Sequence, residues 1–353
     1  MLPAALVLAL AWGCLAGGPR AQAVTTADSE LYGGVSVPIV NGRQLLGMTF
    51  VNRLVARAPV VSCSGNVLTF DASAGNLGAL LAAGAAYYVE FVSGPDSAYV
   101  GDRFDLDVTA SRASANSTLT IAAGAENNTL ASLPAGAALA GYTAVVRAHV
   151  TLGQLFGTKA NPLMFAAASA ATADQVLLFN RQTQTWVVYY FLTNPSGTIK
   201  QWTRAGGGST NRDGEIIPPG AGVQVVRMPA TPVTLYWTGE VRRNHFAQPL
   251  VAGRNLVCQP WPLAASPATR LMNFAHGMAG TASATTSDQL QPLVGGTYKV
   301  YYLLRNSTGT IEQWTLAGGG STNRSNETLF SPVNALFLNK INADPDHLVP
   351  SPL

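Results

Sequence analysis

The sequence predicts an all-β protein, with a small N-terminal barrel- or sandwich-like domain followed by two tandem copies of a β-sandwich or barrel-like module. Three observations predict it. Runs rich in β-branched and aromatic residues recur, with turn signals roughly every 8 to 12 residues. One stretch occurs twice: YYFLTNPSGTIKQWTRAGGGSTNR at 189–212 and YYLLRNSTGTIEQWTLAGGGSTNR at 301–324, identical at 18 of 24 positions. The chain is 48% hydrophobic but only 11% charged, where a typical soluble domain carries about 25% charged residues. Ala, Gly, Ser, Thr and Asn make up the balance, a mix that suits an extracellular β-rich protein.

Residues 1–23 read as a signal peptide. An apolar run from Leu2 to Ala16 leads through Gly-Gly-Pro to Ala21-Gln22-Ala23, small residues where signal peptidase cuts. The segment before the run has no Lys or Arg. Cys14 is poorly placed for lipidation because bulky Trp12 precedes it. The next apolar run, GALLAAGAAYYVEFV, is short and broken by Glu90, so no transmembrane segment is expected in the mature chain. The expected location is outside the cytoplasm: periplasm, cell surface or medium. Cys63 and Cys258 survive cleavage, either paired in an oxidising compartment or as two buried thiols.

Residues 24–129 form the expected N-terminal β domain. PVVSCSGNVLTF, AAYYVEFVSG, DRFDLDV and STLTIAAG read as strands, with GNVLTF and NSTLTI paired, and the Gly/Ala-rich stretch 74–86 reads as a short helix. Module copies follow at 130–240 and 241–345, with a tail at 346–353. TWVVYYFLT stops at the turn NPSG, TIKQWTRA ends at three glycines, and GVQVVRM and VTLYWTGEV follow. ATADQVLLFN parallels TTSDQLQPLV, and IIPPGAGVQVVR stands opposite LFSPVNALFLNK. The opening phrase of the second copy, PLVAGRNLVCQPW (249–261), also resembles PIVNGRQLLGMTF (38–50).

The order Gly-x-Asn-Leu-Val, Asp-Gln-Val, paired Tyr, Trp strand, Pro-Pro-Gly-x-Gly-Val and Gly-Glu-Val resembles an uncharacterised family of signal-peptide-bearing bacterial proteins with an N-terminal β domain and tandem β modules. The resemblance covers most of the mature chain. The first copy has GYTAVV where the opening should stand, and the second lacks the Pro-Pro-Gly closing. The resemblance implies export and β modules, and no reaction.

Trp202 and Trp314 alternate with charged residues on their strands and are candidate platforms for a sugar. Arg212 and Arg324 end the glycine loops and are candidate anion ligands. Otherwise both Trp residues belong to a core and both loops are hairpin turns. Asp96, Asp102, Asp105 and Asp107, the last two on one strand face, are candidate Ca²⁺ ligands, against a solvated acidic face beside Arg103. Asp174 and Asp288, repeated in Asp-Gln, read as turn or cap residues. The four histidines form no zinc pattern, and no Gly-x-Ser-x-Gly elbow is present. No basic stripe with interleaved aromatics exists, so nucleic acid is not an expected partner. The leading expectation is an exported, non-catalytic structural or adhesive protein, whose partners are envelope components, polysaccharide or another surface protein. The alternative is a carbohydrate- or ligand-binding protein using the repeated Trp and glycine loops. A second alternative is a secreted hydrolase.

Overall fold

Strand pairing, rather than chain order, defines the bodies of this protein. The structure, a computed structural model, describes residues 31–134 and 136–353. The signal-peptide segment and Cys14 lie outside the described residues. Residues 31–353 form one compact unit, all-β in class.

The second module is continuous in sequence. Its main sheet is antiparallel, in the order Gly253–Cys258, Ala335–Lys340, Gln289–Val294, Tyr301–Arg305, Glu312–Leu316. A separate ribbon, Phe246–Leu250 with Asp344–Val349, lies beside it. Leu250 of the ribbon joins Leu290, Leu303, Trp314, Leu336 and Leu338 of the sheet in one core.

The first module repeats this order as Gly42–Gly47, Gly222–Arg227, Gln175–Asn180, Thr185–Thr193, Lys200–Arg204, with Tyr32–Ile39 paired to Val233–Val241 as its ribbon. Its opening strand therefore comes from residues 42–47, which pair along their whole length with 222–227. The expected start of the first module at residue 130 does not match this pairing. The first module is built from residues 31–51 and about 150–241, and the N-terminal β domain is inserted within it. The opening-phrase likeness has the same physical content in both places. Gly42 (φ 95°) and Gly253 (φ 92°) make the turn into the strand, a conformation that disfavours a side chain. Val40 N–H donates to Gln44 Oε1 at 2.8 Å, and Val251 N–H to Asn255 Oδ1 at 2.9 Å. The segment GYTAVV, by contrast, belongs to the inserted domain. Strand Thr143–Ala148 lies between Leu54–Ser64 and Tyr87–Ser93.

The inserted domain is a curled six-stranded sheet, in the order Arg103–Asp105, Tyr87–Ser93, Thr143–Ala148, Leu54–Ser64, Val67–Phe70, Thr118–Thr120. A bridge between Leu106 and Ile121 joins its two ends around a core that includes Leu68, Val89, Phe91, Phe104 and Leu119. The pairing of GNVLTF with NSTLTI is present as Val67–Phe70 against Thr118–Thr120. The helix expected at 74–86 is reduced to 3₁₀ turns at Ala72–Ala74 and Gly78–Leu80. Gly75 and Gly84, at φ 67° and 77°, break it. The α-helix of this region is Val108–Ala113, capped by Asp107.

Two buried ion pairs hold the inserted domain to the segment that ends the first module. Arg147 binds Glu240, with its Nη1 2.7 Å from Oε2, and Arg242 binds Glu90. The modules meet through small residues. A Cβ on Gly47 would lie 2.3 Å from Cys258 Cβ, and one on Gly222 would lie 2.3 Å from Ala335 Cβ. Leu45, Leu256 and Phe337 complete this contact.

Candidate functional site

The repeated stretches fold alike. Gly206 and Gly208 take φ 78° and 67°, Gly318 and Gly320 80° and 69°, while the middle glycines do not require the left-handed region. Thr203 and Thr315 hydroxyls donate to the Gly208 and Gly320 carbonyls at 2.8 and 2.7 Å. The glycines are thus turn chemistry. Trp202 and Trp314 are 0% and 1% exposed. Their indole N–H groups donate to the Gly157 and Met272 carbonyls at 2.9 and 2.6 Å. Neither ring is a surface platform, which corrects the sugar-stacking expectation. An indole with a satisfied N–H in a packed core is a structural anchor.

Arg212 and Arg324 are exposed and face their own Glu215 and Glu327, at 3.7 and 3.4 Å. Those carboxylates in turn meet Tyr189 and Tyr301. Burial and the bond to Glu327 push the Tyr301 phenol up to about 12, and burial beside Glu215 pushes Tyr189 up as well. Each Arg thus faces a local Glu–Tyr network.

The four aspartates do not converge. Asp96 accepts from the Tyr142 hydroxyl and from Ala98 N–H. Asp102 accepts from the Thr129 hydroxyl at 2.7 Å. Asp105 binds His149 Nε2 at 2.9 Å and the Asn127 amide at 3.0 Å. Asp107 caps its helix by accepting from Ala110 N–H at 2.9 Å. No group of three or more candidate metal ligands occurs among the described residues, so the Ca²⁺ expectation is corrected as well. The strand ends at Asp105, and the chain then turns, which separates Asp105 from Asp107.

Asp174 and Asp288 are more than turn residues. Asp174 is fully buried, binds Arg227 and accepts from Phe165 and Met228 N–H at 2.7 and 2.9 Å. Asp288 is fully buried, binds Lys340 Nζ at 2.7 Å and accepts from Ala279 and Ile341 N–H at 2.8 and 2.7 Å. The signal was present in the sequence: Arg227 and Lys340 end the aligned phrases IIPPGAGVQVVR and LFSPVNALFLNK.

A built site lies where the inserted domain and both modules meet. It is a cavity of about 310 Å³. The inserted domain supplies Tyr88, Arg103 and Asp105, with His149 just beyond its last strand. The first module supplies Leu178, Arg181, Val187 and residues 215–222. The second module supplies Gln248, Asn255 and Leu256. Arg103 is 4% exposed. Its guanidinium rests on the Phe246 ring, 4.1 Å from the centroid, and donates to the Gly101 carbonyl at 3.1 Å. Burial pulls its pKa down to about 10, against the opposing fields of Tyr88, Asp102 and Asp105. Arg181 donates to the Pro249 and Glu126 carbonyls at 3.1 and 2.5 Å. Burial lowers its pKa, and the charge of Arg103 lowers it further while that of Glu126 opposes. The hydrogen bonds these two arginines donate go to backbone carbonyls.

The His149 ring packs at a tilt against Tyr88, 4.8 Å between centroids, and its Nε2 meets Asp105, while Nδ1 is buried with no partner. Both ring nitrogens are therefore withheld from a ligand in this conformation. The pair orients the wall and does not present an acid or base. Arg103 stands beside the acidic cluster in the sequence, and Asp105 of that cluster lines the cavity with it. Arg181 and His149 carry no local signature. No family model, curated protein or solved structure matches this chain.

Proposed function

We propose that this is an exported, non-catalytic binding protein whose junction cavity holds a small molecule. The observation that supports it is the cavity itself, lined by two arginines and by Leu178, Val187, Ile216 and Leu256. Concave, mostly apolar sites with a few converging polar groups, placed at domain junctions, are the usual form of small-molecule sites. The reading keeps the ligand-binding alternative and moves it from the Trp loops to the junction. Filling the cavity tests it. Leu178→Trp places an indole in the space, and protein recovered from its native compartment should then release no bound small molecule on denaturation. Equal release from both proteins, measured by mass spectrometry, refutes the reading.

A structural or adhesive role is the second reading. The paired glycine loops favour it, since 204–212 and 317–324 are exposed throughout and share one conformation. Cell fractionation separates the two readings. An envelope pellet resistant to a salt wash supports the adhesive role, and free protein in the periplasm or medium removes it.

A further inference from the structure

Two guanidinium groups from different bodies converge on one cavity. Arg103 arises from strand Arg103–Asp105 of the inserted domain, and Arg181 follows strand Gln175–Asn180 of the first module. Both residues line the same cavity. Their hydrogen bonds to protein go to backbone carbonyls, which are neutral acceptors. Burying two like charges is costly unless an opposite charge compensates them. Of the carboxylates nearby, Asp102 accepts from the Thr129 hydroxyl and Glu126 lines the cavity. Asp105 is held by His149 and Asn127, and Glu215 by Arg212 and Tyr189. The cavity therefore has two cationic forks whose own hydrogen bonds go to neutral carbonyls, with Asp102, Asp105 and Glu126 acting on them through their fields.

We infer that the junction cavity binds a small organic acid, with its carboxylate between Arg103 and Arg181 and its apolar body against Leu178, Val187 and Leu256. This rests on the cavity being the binding site. The planar five-donor fork of arginine matches a carboxylate in bidentate fashion. A volume of about 310 Å³ lies at the small end for a ligand site. The apolar lining by Leu178, Val187 and Leu256 selects a monoanion with a hydrocarbon portion. A phosphate dianion is a poorer match, because it finds apolar surface there and meets Asp105 and Glu215 as well.

The test uses the full mature chain in calorimetric titration and thermal unfolding. The probes are benzoate and hexanoate, their neutral partners benzamide and hexanamide, and inorganic phosphate. The expected result is that an acid raises Tm and binds at least about tenfold more tightly than its amide, a difference near 1.4 kcal/mol. Arg181→Gln should erase that preference, Arg181→Lys should keep part of it, and Leu178→Trp should abolish binding of acid and amide alike. The Lys variant and the Leu178→Trp variant guard against loss of the Arg181 contacts to Pro249 and Glu126. Equal binding of acid and amide overturns the carboxylate inference and leaves the cavity reading standing. Tighter binding of phosphate than of either acid also overturns it. Binding undiminished in Leu178→Trp, or no probe bound at about 10 mM, a concentration that would detect even millimolar affinity, overturns both.

Discussion

Replacing Asp288 by Asn should destabilise the protein by about 3–5 kcal/mol, the usual cost of removing one partner from a buried ion pair. The Asp288 carboxylate accepts three hydrogen bonds, from Lys340 Nζ at 2.7 Å, Ala279 N–H at 2.8 Å and Ile341 N–H at 2.7 Å. Both charged side chains are 0% exposed. An Asn amide has one oxygen for these three donors and turns its own N–H groups toward the rest. Lys340 retains contacts to the Gly277 carbonyl and the Met278 sulfur, neither of which neutralises it. Urea unfolding followed by far-UV circular dichroism measures the loss. At a slope near 3 kcal/mol per molar, the midpoint falls by roughly 1–2 M. Adding Lys340→Met removes the stranded charge and should recover more than half of the loss, which a double-mutant cycle reads directly. Asp174→Asn should behave alike, because Asp174 meets Arg227 and two N–H groups in the same arrangement. A loss below about 1 kcal/mol at both sites, the scale of an exposed pair, refutes the reasoning.

Four further outcomes are expected. A fragment spanning 130–240 should fail to fold, because it lacks Tyr32–Ile39 and Gly42–Gly47 and their core residues Val37, Ile39 and Leu46; a cooperative thermal transition in that fragment would count against the inserted-domain architecture. Cys63 and Cys258 should resist iodoacetamide at pH 8 in the native protein and both react after unfolding, since burial raises both thiols and pushes Cys258 to about 11; rapid native labelling of Cys258 would contradict this. The Tyr142 and Tyr301 phenols are pushed up to about 12, first by burial and then by Asp96 and Glu327. Their contribution is complete below the ordinary phenol value near 10 and is lost as pH rises from about 10 to 12, so unfolding free energy should fall across that window while tyrosinate absorbance lags that of the unfolded chain. Gly222→Ala should cost about 1–3 kcal/mol as an overpacking change, since its Cβ would lie 2.3 Å from Ala335 Cβ; unchanged stability would show that the modules do not meet there.

The local structure was legible in the sequence where it depended on neighbours along the chain. Strands Thr185–Thr193 and Val233–Val241 match the runs TWVVYYFLT and VTLYWTGEV. The glycine loops are turns for the reason their spacing suggested. The Trp residues were harder. Lys200 and Arg204 share a face with Trp202, yet that face is covered, and the charged side chains lie at the two ends of the strand, with Arg204 exposed. The domain insertion was written in the likeness of PIVNGRQLL to PLVAGRNLV. Only strand pairing shows that the first phrase serves the first module rather than a third copy. The cavity had no such trace. Arg103, His149, Arg181 and Gln248 are scattered along the chain, and their meeting depends on three bodies packing together.

The insertion explains why the site lies at the junction. The chain leaves the first module after Phe50–Val51, builds the curled sheet, and returns at Val150–Thr151, which pairs with Ile216–Ile217. His149 is the residue just before that return, and Ile216 and Ile217 line the cavity with it. The return thus fixes one wall against the first module. The second module supplies Gln248 and Leu256 through its opening ribbon and strand, brought close because Gly47 and Gly222 carry no side chain. Duplication alone gives two equivalent modules with equivalent buried ion pairs. The inserted domain breaks that equivalence, since it packs at only one opening strand. Arg103 and His149 come with it, so the cavity has these walls at the first module and no counterpart built from them at the second.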